Sequence, residues 1–181
     1  MVSDVQQSGR ESRARVPLSL IEAALLRIPT FVGCRSITRG LRLAGVGIDS
    51  SSIFWGMPKL VGPGDVASRL TIGPLCGLNF GCYFELDAPI TLVEHVAVGH
   101  EVMFLTRQRD PKNPSRRGEV SGAKPIVVGP GAWLGSRVVV MPGVTIGAGA
   151  VVGASVVVHE DVPPNTLLVG KRKISLAKWR G

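Results

Sequence analysis

The sequence predicts an all-β chain wound into a coil of short parallel strands, preceded by a short helical segment and interrupted by one projecting loop. Three observations lead there. Aliphatic residues recur at every sixth position in Val128, Leu134, Val140, Ile146, Val152 and Val158, and four residues after each stands Ala132, Val138, Val144, Ala150, Val156 or Val162. Glycine follows the first aliphatic at Gly129, Gly135, Gly147 and Gly153, as expected where a backbone turns sharply. Composition agrees: 45% of residues are hydrophobic but only 5% aromatic, and 23 Gly and 13 Pro in 181 residues suit a narrow interior with many tight turns. An ordinary strand repeats at two, so a repeat of six implies three flat faces, each turning one large and one small residue inward. Three hexads make one coil, and a position recurs one layer up after eighteen residues.

The elements follow in order. Residues 1–15 are polar and unperiodic and read as a flexible arm. Residues 16–58 read as an N-terminal helix and an irregular cap: Leu18, Ile21 and Leu25 fall on one helical face between Pro17 and Pro29, and Gly45, Gly47 and Gly56 punctuate the rest. The coil is assigned to 59–170. Its earlier hexads pair Ile72 with Cys76, Leu78 with Cys82 and Phe84 with Ala88; after a two-residue slip near Pro89, Leu92 pairs with Val96 and Val98 with Val102. Cys76 and Cys82 thereby take small inward positions and read as core residues. The polar stretch 106–124 is a loop projecting from a rigid scaffold, where function concentrates. The basic tail, 171–181, must cover the open end of the coil, because an uncovered strand edge invites association.

Charge is unevenly placed. Lys and Arg number 21 against 13 Asp and Glu, a net charge of +8. Arg27, Arg35, Arg39 and Arg42 form one group; Arg107, Arg109, Lys112, Arg116, Arg117 and Lys124 crowd the loop; Lys171, Arg172, Lys173, Lys178 and Arg180 mark the tail. Such groups are solvated faces or contacts for anionic ligands, a phosphate-bearing cofactor or a lipid surface among them. No motif or aromatic platform accompanies the charge, so nucleic acid is not an expected partner. Three cysteines without a secretory leader point to a cytoplasmic location, and no run approaches the roughly 18 apolar residues of a membrane span. The N-terminal helix, flanked by Arg27 and Arg35, leaves open a peripheral contact with the inner membrane surface.

Six stretches carry a resemblance: Leu78-Asn-Phe-Gly-Cys82, Val98-Gly-His-Glu-Val-Met-Phe-Leu-Thr106, Lys124-Pro-Ile-Val-Val-Gly129, Ala132-Trp-Leu-Gly135, Met141-Pro-Gly-Val-Thr-Ile-Gly147 and Glu160-Asp-Val-Pro-Pro-Asn165. Over about residues 70 to 170 the chain resembles the hexapeptide-repeat acyltransferases, in the branch of maltose, galactoside and polysaccharide O-acetyltransferases. The resemblance implies a left-handed parallel β-helix, a homotrimer, and acetyl-CoA held in a groove between subunits. It implies direct acetyl transfer to a hydroxyl of a saccharide acceptor, in the building of surface polysaccharide or glycolipid.

It also implies roles for particular residues. Backbone amides at Ser136 and Ala154 would hold the cofactor; these lie eighteen residues apart and so stack on one edge. Trp133 would line the same groove, Asn79 would bind the acceptor, and Lys171 and Arg172 could serve the cofactor phosphates. No metal is expected, since only His95 and His100 are close in sequence and His159 is several coils away. The family places its general base, a histidine, thirty residues beyond the asparagine, and here Arg109 occupies that place. Arginine stays protonated and cannot accept the acceptor's proton. By the count of hexads and the slip, Asn79 lies below Gly99, so His100 sits one layer up and one residue along, roughly 5–6 Å away. His100 is therefore the replacement base to test, with Arg109 free to hold an anionic acceptor. The alternative is a catalytically inactive CoA-binding scaffold. Glu160 also stands where the family often carries a basic residue.

Overall fold

The computed structural model describes residues 16–25, 33–109, 112 and 114–178. The expected arm 1–15, Arg27 and the end of the tail from residue 179 lie outside them.

Strands of two to four residues stack into three faces. The first face carries Gly47–Ile48, Leu70–Ile72, Ile90–Leu92, Ile126–Val128 and Thr145–Ile146; the second runs from Ile53–Phe54 through Gly77–Leu78, Ala97–Val98, Trp133–Leu134 and Val151–Val152 to Thr166–Val169; the third holds Lys59–Val61, Tyr83–Glu85, Met103–Phe104, Val139–Val140 and Val157–Val158. All neighbours within these stacks pair in parallel. This is the all-β parallel β-helix expected, with the stacking of a left-handed coil. Val128 pairs with Ile146, Leu134 with Val152 and Val140 with Val158, the eighteen-residue recurrence of the hexads. Below the slip the recurrence is twenty: Ile72 pairs with Leu92, Leu78 with Val98, and Phe84 with Phe104, whose rings stack 4.9 Å apart.

Both residues of each hexad are buried, as are Cys76 and Cys82. Burying one Val, Leu or Ile contributes about 1.5–3 kcal/mol, and the coil repeats that gain at every face. Burial pushes the Cys82 thiol up to about 12, and it donates to the Asn79 carbonyl at 3.0 Å. Thr106 fills the slip at Pro89. Its buried hydroxyl donates to the Glu85 carbonyl at 2.5 Å and accepts the N–H groups of Asp87 and Ala88 at 3.1 and 3.2 Å.

Several boundaries differ from the sequence expectation. The coil starts at Gly47 rather than 59, with Ile48, Phe54 and Leu60 turned inward. Ser52 occupies the small inward position there, which disguises the hexad. It is tolerated because its hydroxyl donates to the Gly73 carbonyl at 2.7 Å and accepts the Cys76 N–H at 2.9 Å. The first coil is also longer, since Ile48 pairs with Ile72. Within the supposed irregular cap lies a second helix: α1 spans Leu18–Leu25 and α2 spans Cys34–Leu43. Ile37, Thr38, Gly40 and Leu41 of α2 are buried, and the Thr38 hydroxyl donates to the Ser52 carbonyl at 3.0 Å.

The glycines after the first aliphatic are not the turning residues. Left-handed backbone sits two positions later, at Gly131, Arg137, Gly143, Gly149 and Ser155. At Gly135 a Cβ would lie 2.6 Å from the Ala154 nitrogen, so glycine there allows neighbouring coils to approach. The 106–124 loop contains an antiparallel hairpin, Arg107–Arg109 with Val120–Ala123. The tail folds back as Arg172–Ser175 against Thr166–Val169 and occupies the upper edge of the second face. No helix among the described residues is long and apolar enough to cross a membrane.

Candidate functional site

Register builds one corner of the prism, between the second and third faces, from residues far apart in sequence. Leu78, Val98, Leu134, Val152 and Leu168 are stacked partners. One residue further on, Asn79, Gly99, Gly135 and Gly153 follow, and two residues further on, Phe80, His100, Ser136, Ala154 and Gly170. At about 4.8 Å per coil, the column from Phe80 to Gly170 is about 19 Å long.

His100 is half-buried in this column. Its ring meets Phe80 edge-on with centroids 4.4 Å apart. The Ser136 hydroxyl oxygen accepts the His100 backbone N–H at 3.3 Å and lies 3.4 Å from His100 Nδ1. If Nδ1 carries the ring proton, that oxygen accepts it as well, and Nε2 is left with a lone pair. Asn79 donates from Nδ2 to the Val98 carbonyl at 3.1 Å, and its Oδ1 has no partner among the described residues. The backbone N–H groups of Ser136 and Ala154 likewise meet no acceptor among the described residues. Two unspent donors stacked one coil apart can hold two acceptors of an extended ligand laid along the corner.

Trp133 stands beside this column on the second face, 55% exposed, between Ala97 and Val151. Lys171, on the turn just beyond Gly170, and Arg172, which opens the returning strand, are both exposed at the column's upper end. Asn79, His100, Trp133, Ser136, Ala154, Lys171 and Arg172 are therefore brought to one corner. Sequence reasoning missed Trp55, which is 39% exposed and sits one coil below Asn79, its N–H bound to the Leu78 carbonyl at 2.8 Å. The hexad of Phe54 and Leu60 around it was the available signal.

Arg109 is elsewhere. It projects with the hairpin from the corner between the third and first faces, where a cavity of about 460 Å³ is lined by Glu85, Leu105, Met141, Pro142 and residues 107–109. Its guanidinium donates to the Gly118 carbonyl across the hairpin. Beside it, Arg107 bonds Asp87 at 3.0 Å, and the Arg107 N–H donates to Glu85 at 2.9 Å. The Asp87 hydrogen bond pushes the Arg107 guanidinium further up its already basic range. Arg107 Nε, 3.7 Å from Glu85, makes no hydrogen bond. His95 and His159 are exposed at separate places, and Glu160 pairs with Lys173 at 3.2 Å. No group of His, Cys, Asp or Glu able to hold a metal occurs among the described residues.

A coil of this construction defines the hexapeptide-repeat class, and residues 125–160 match the family described as bacterial transferase hexapeptide (six repeats). A candidate acetyltransferase of Schizosaccharomyces pombe is 40% identical over 92 residues, covering 51% of this chain and 44% of that protein. The galactoside O-acetyltransferase of Escherichia coli is 34% identical over 103 residues, covering 57% and 51%. The solved hexapeptide-repeat acetyltransferase of Vibrio cholerae O1 biovar eltor, complexed with acetyl coenzyme A, superposes with a TM-score of 0.64 at 27% identity, over 83% of this chain and 78% of that one. The chain spans about half the length of the curated relatives it matches. Over the coil the chain is similar in sequence to the galactoside O-acetyltransferase, and it shares its fold with the solved maltose O-acetyltransferase of Clostridium difficile 630.

Proposed function

We propose that the protein transfers an acetyl group from acetyl-CoA to a sugar hydroxyl. What supports the reading is the single corner column: acceptor-type atoms at Asn79, a histidine at His100, unspent amides at Ser136 and Ala154, and cations at Lys171 and Arg172, in that order. An extended cofactor laid along it has its phosphates near Lys171 and Arg172, its amide carbonyls at Ser136 and Ala154, Trp133 beside it, and its thioester toward His100. His100 Nε2 takes the acceptor proton as the hydroxyl oxygen attacks the thioester carbonyl. Collapse of the tetrahedral adduct breaks the C–S bond, and the departing thiolate recovers the proton. Asn79 Oδ1 and Trp55 lie where the sugar would approach.

The acceptor in this reading belongs to a surface polysaccharide or glycolipid, modified on the cytoplasmic side. The working unit is a homotrimer. Outward residues of the second and third faces are largely apolar, Ile53, Ala97, Trp133 and Val151 on one and Tyr83, Met103, Val139 and Val157 beside Lys59 on the other, whereas the first face presents Thr71, Thr91, Val127 and Thr145. A neighbouring copy covering such faces would bring its hairpin, with Arg109, toward the His100 corner, a contact open to an anionic acceptor. The test is release of CoA thiol from acetyl-CoA with a panel of saccharides, using wild type and His100→Ala. Saccharide-dependent release that His100→Ala abolishes supports the reading, and full activity in the variant removes His100 as base.

The exposed Arg109 in the family's base position favours a second reading, an inactive CoA-binding scaffold. Under it, wild type binds CoA without turnover, and Arg109→His creates activity while CoA affinity stays equal.

A further inference from the structure

We propose that the solvent face of α2 is a docking surface for an anionic lipid bilayer. Independently of any acetyl transfer, three observations carry this. First, Arg35, Arg39 and Arg42 are all exposed at spacings of four and three, which confines them to a stripe roughly 60° wide at 3.6 residues per turn. The buried Ile37, Gly40 and Leu41 lie on the opposite side of the helix, and the buried Thr38 borders the stripe. The stripe therefore faces away from the coil.

Second, no ion pair among the described residues neutralises it, and the sequence holds no Asp or Glu from Ala23 through Ile48. The flanking acids in sequence are Glu22 in α1 and, closer to Arg42, Asp49. The Asp49 carboxylate is engaged by the Ser51 hydroxyl at 2.6 Å and the Ser51 N–H at 2.9 Å, and Arg42 contributes only a lesser share to holding it below the usual carboxylate range. A row of guanidinium groups without ion-pair partners among the described residues complements a dense field of phosphates.

Third, apolar side chains stand exposed on the same two packed helices. Leu43 at the end of α2 and Leu20 on α1 are each 61% exposed, an arrangement that lets an interfacial helix bury leucine among acyl chains while arginine meets headgroups. The helix carrying the charge is α2, not α1, whose span Leu18–Leu25 contains no basic residue. In the coil, α2 packs chiefly on Gly47–Ile48 and Ile53–Phe54, the first coil, at the opposite end from Lys171 and Arg172.

The experiment is cosedimentation of the full chain with vesicles of phosphatidylcholine alone and of phosphatidylcholine mixed with phosphatidylglycerol, at low and high salt. Binding to the phosphatidylglycerol vesicles only, weakened by salt, is expected. Arg35→Gln/Arg39→Gln/Arg42→Gln should weaken it about a hundredfold, and the triple Lys variant should retain it. Unchanged thermal unfolding of the Gln variant keeps that loss attributable to the surface. The proposal is overturned by failure to bind phosphatidylglycerol vesicles, by equal binding to both vesicle types, or by equal binding of wild type and the Gln variant. Preference for duplex DNA or RNA over these vesicles, lost in the same variant, also overturns it and assigns the stripe to nucleic acid.

Discussion

The two corners flanking the third face are built from the same repeat and have opposite chemistry. At the corner holding His100, coils meet through Gly99 and Gly135, and polar groups are left over: the amides of Ser136 and Ala154 and the Asn79 Oδ1. At the corner holding the hairpin, most polar side-chain groups are spent, Arg107 Nε excepted. Arg107 is engaged by Asp87 and Glu85, and Thr106 makes three hydrogen bonds. A stacked coil satisfies its backbone along the faces, so a corner with unspent donors stands out as a place prepared for a ligand. A corner whose donors are spent holds the chain in shape.

The largest difference between the corners should appear in catalysis. His100→Ala is expected to lower kcat by roughly 10²- to 10⁴-fold with little change in KM for acetyl-CoA, whereas Arg109→Ala should shift the acceptor KM instead. Steady-state kinetics on both substrates checks this, and equal kcat losses in the two variants would erase the contrast. Next in size, Thr106→Val strands the Asp87 and Ala88 N–H groups, at a cost of about 1–3 kcal/mol in denaturant unfolding. Ser136→Ala should lower kcat while leaving the KM for acetyl-CoA nearly unchanged in steady-state kinetics, since it removes the oxygen beside His100 Nδ1 that also accepts the His100 backbone N–H. Smaller again, Lys171→Gln/Arg172→Gln should weaken CoA binding about three- to tenfold by titration calorimetry, the modest effect of exposed charges. Least of all, Cys82 should escape alkylation in the native protein near neutral pH, because its thiol stays protonated until about 12.

The hexads from Ile72 to Val162 were legible because their inward residues are aliphatic or cysteine at fixed spacing, and the slip at Pro89 could be counted. That count placed His100 beside Asn79 and stacked Ser136 under Ala154. The first coil was hidden by Ser52, whose burial depends on partners twenty-one and twenty-four residues away. Helix α2 was hidden by Thr38 and Gly40 on its buried side, where a hydrophobic pattern is expected. The tail's position could not be read from composition. Only the antiparallel return of Arg172–Ser175 brings Lys171 and Arg172 to the end of the His100 column.

That column also acts as a ruler. His100, Ser136, Ala154 and the Gly170 turn occupy successive coils, so three steps, about 14 Å in all, separate the imidazole from the cations. The length cannot vary continuously, because a step is gained or lost only as a whole coil. A ligand graded by this ruler is measured in steps of about 4.8 Å, and inserting one eighteen-residue coil between Gly135 and Gly153 would move Lys171 and Arg172 by one such step while leaving every inward side chain in register.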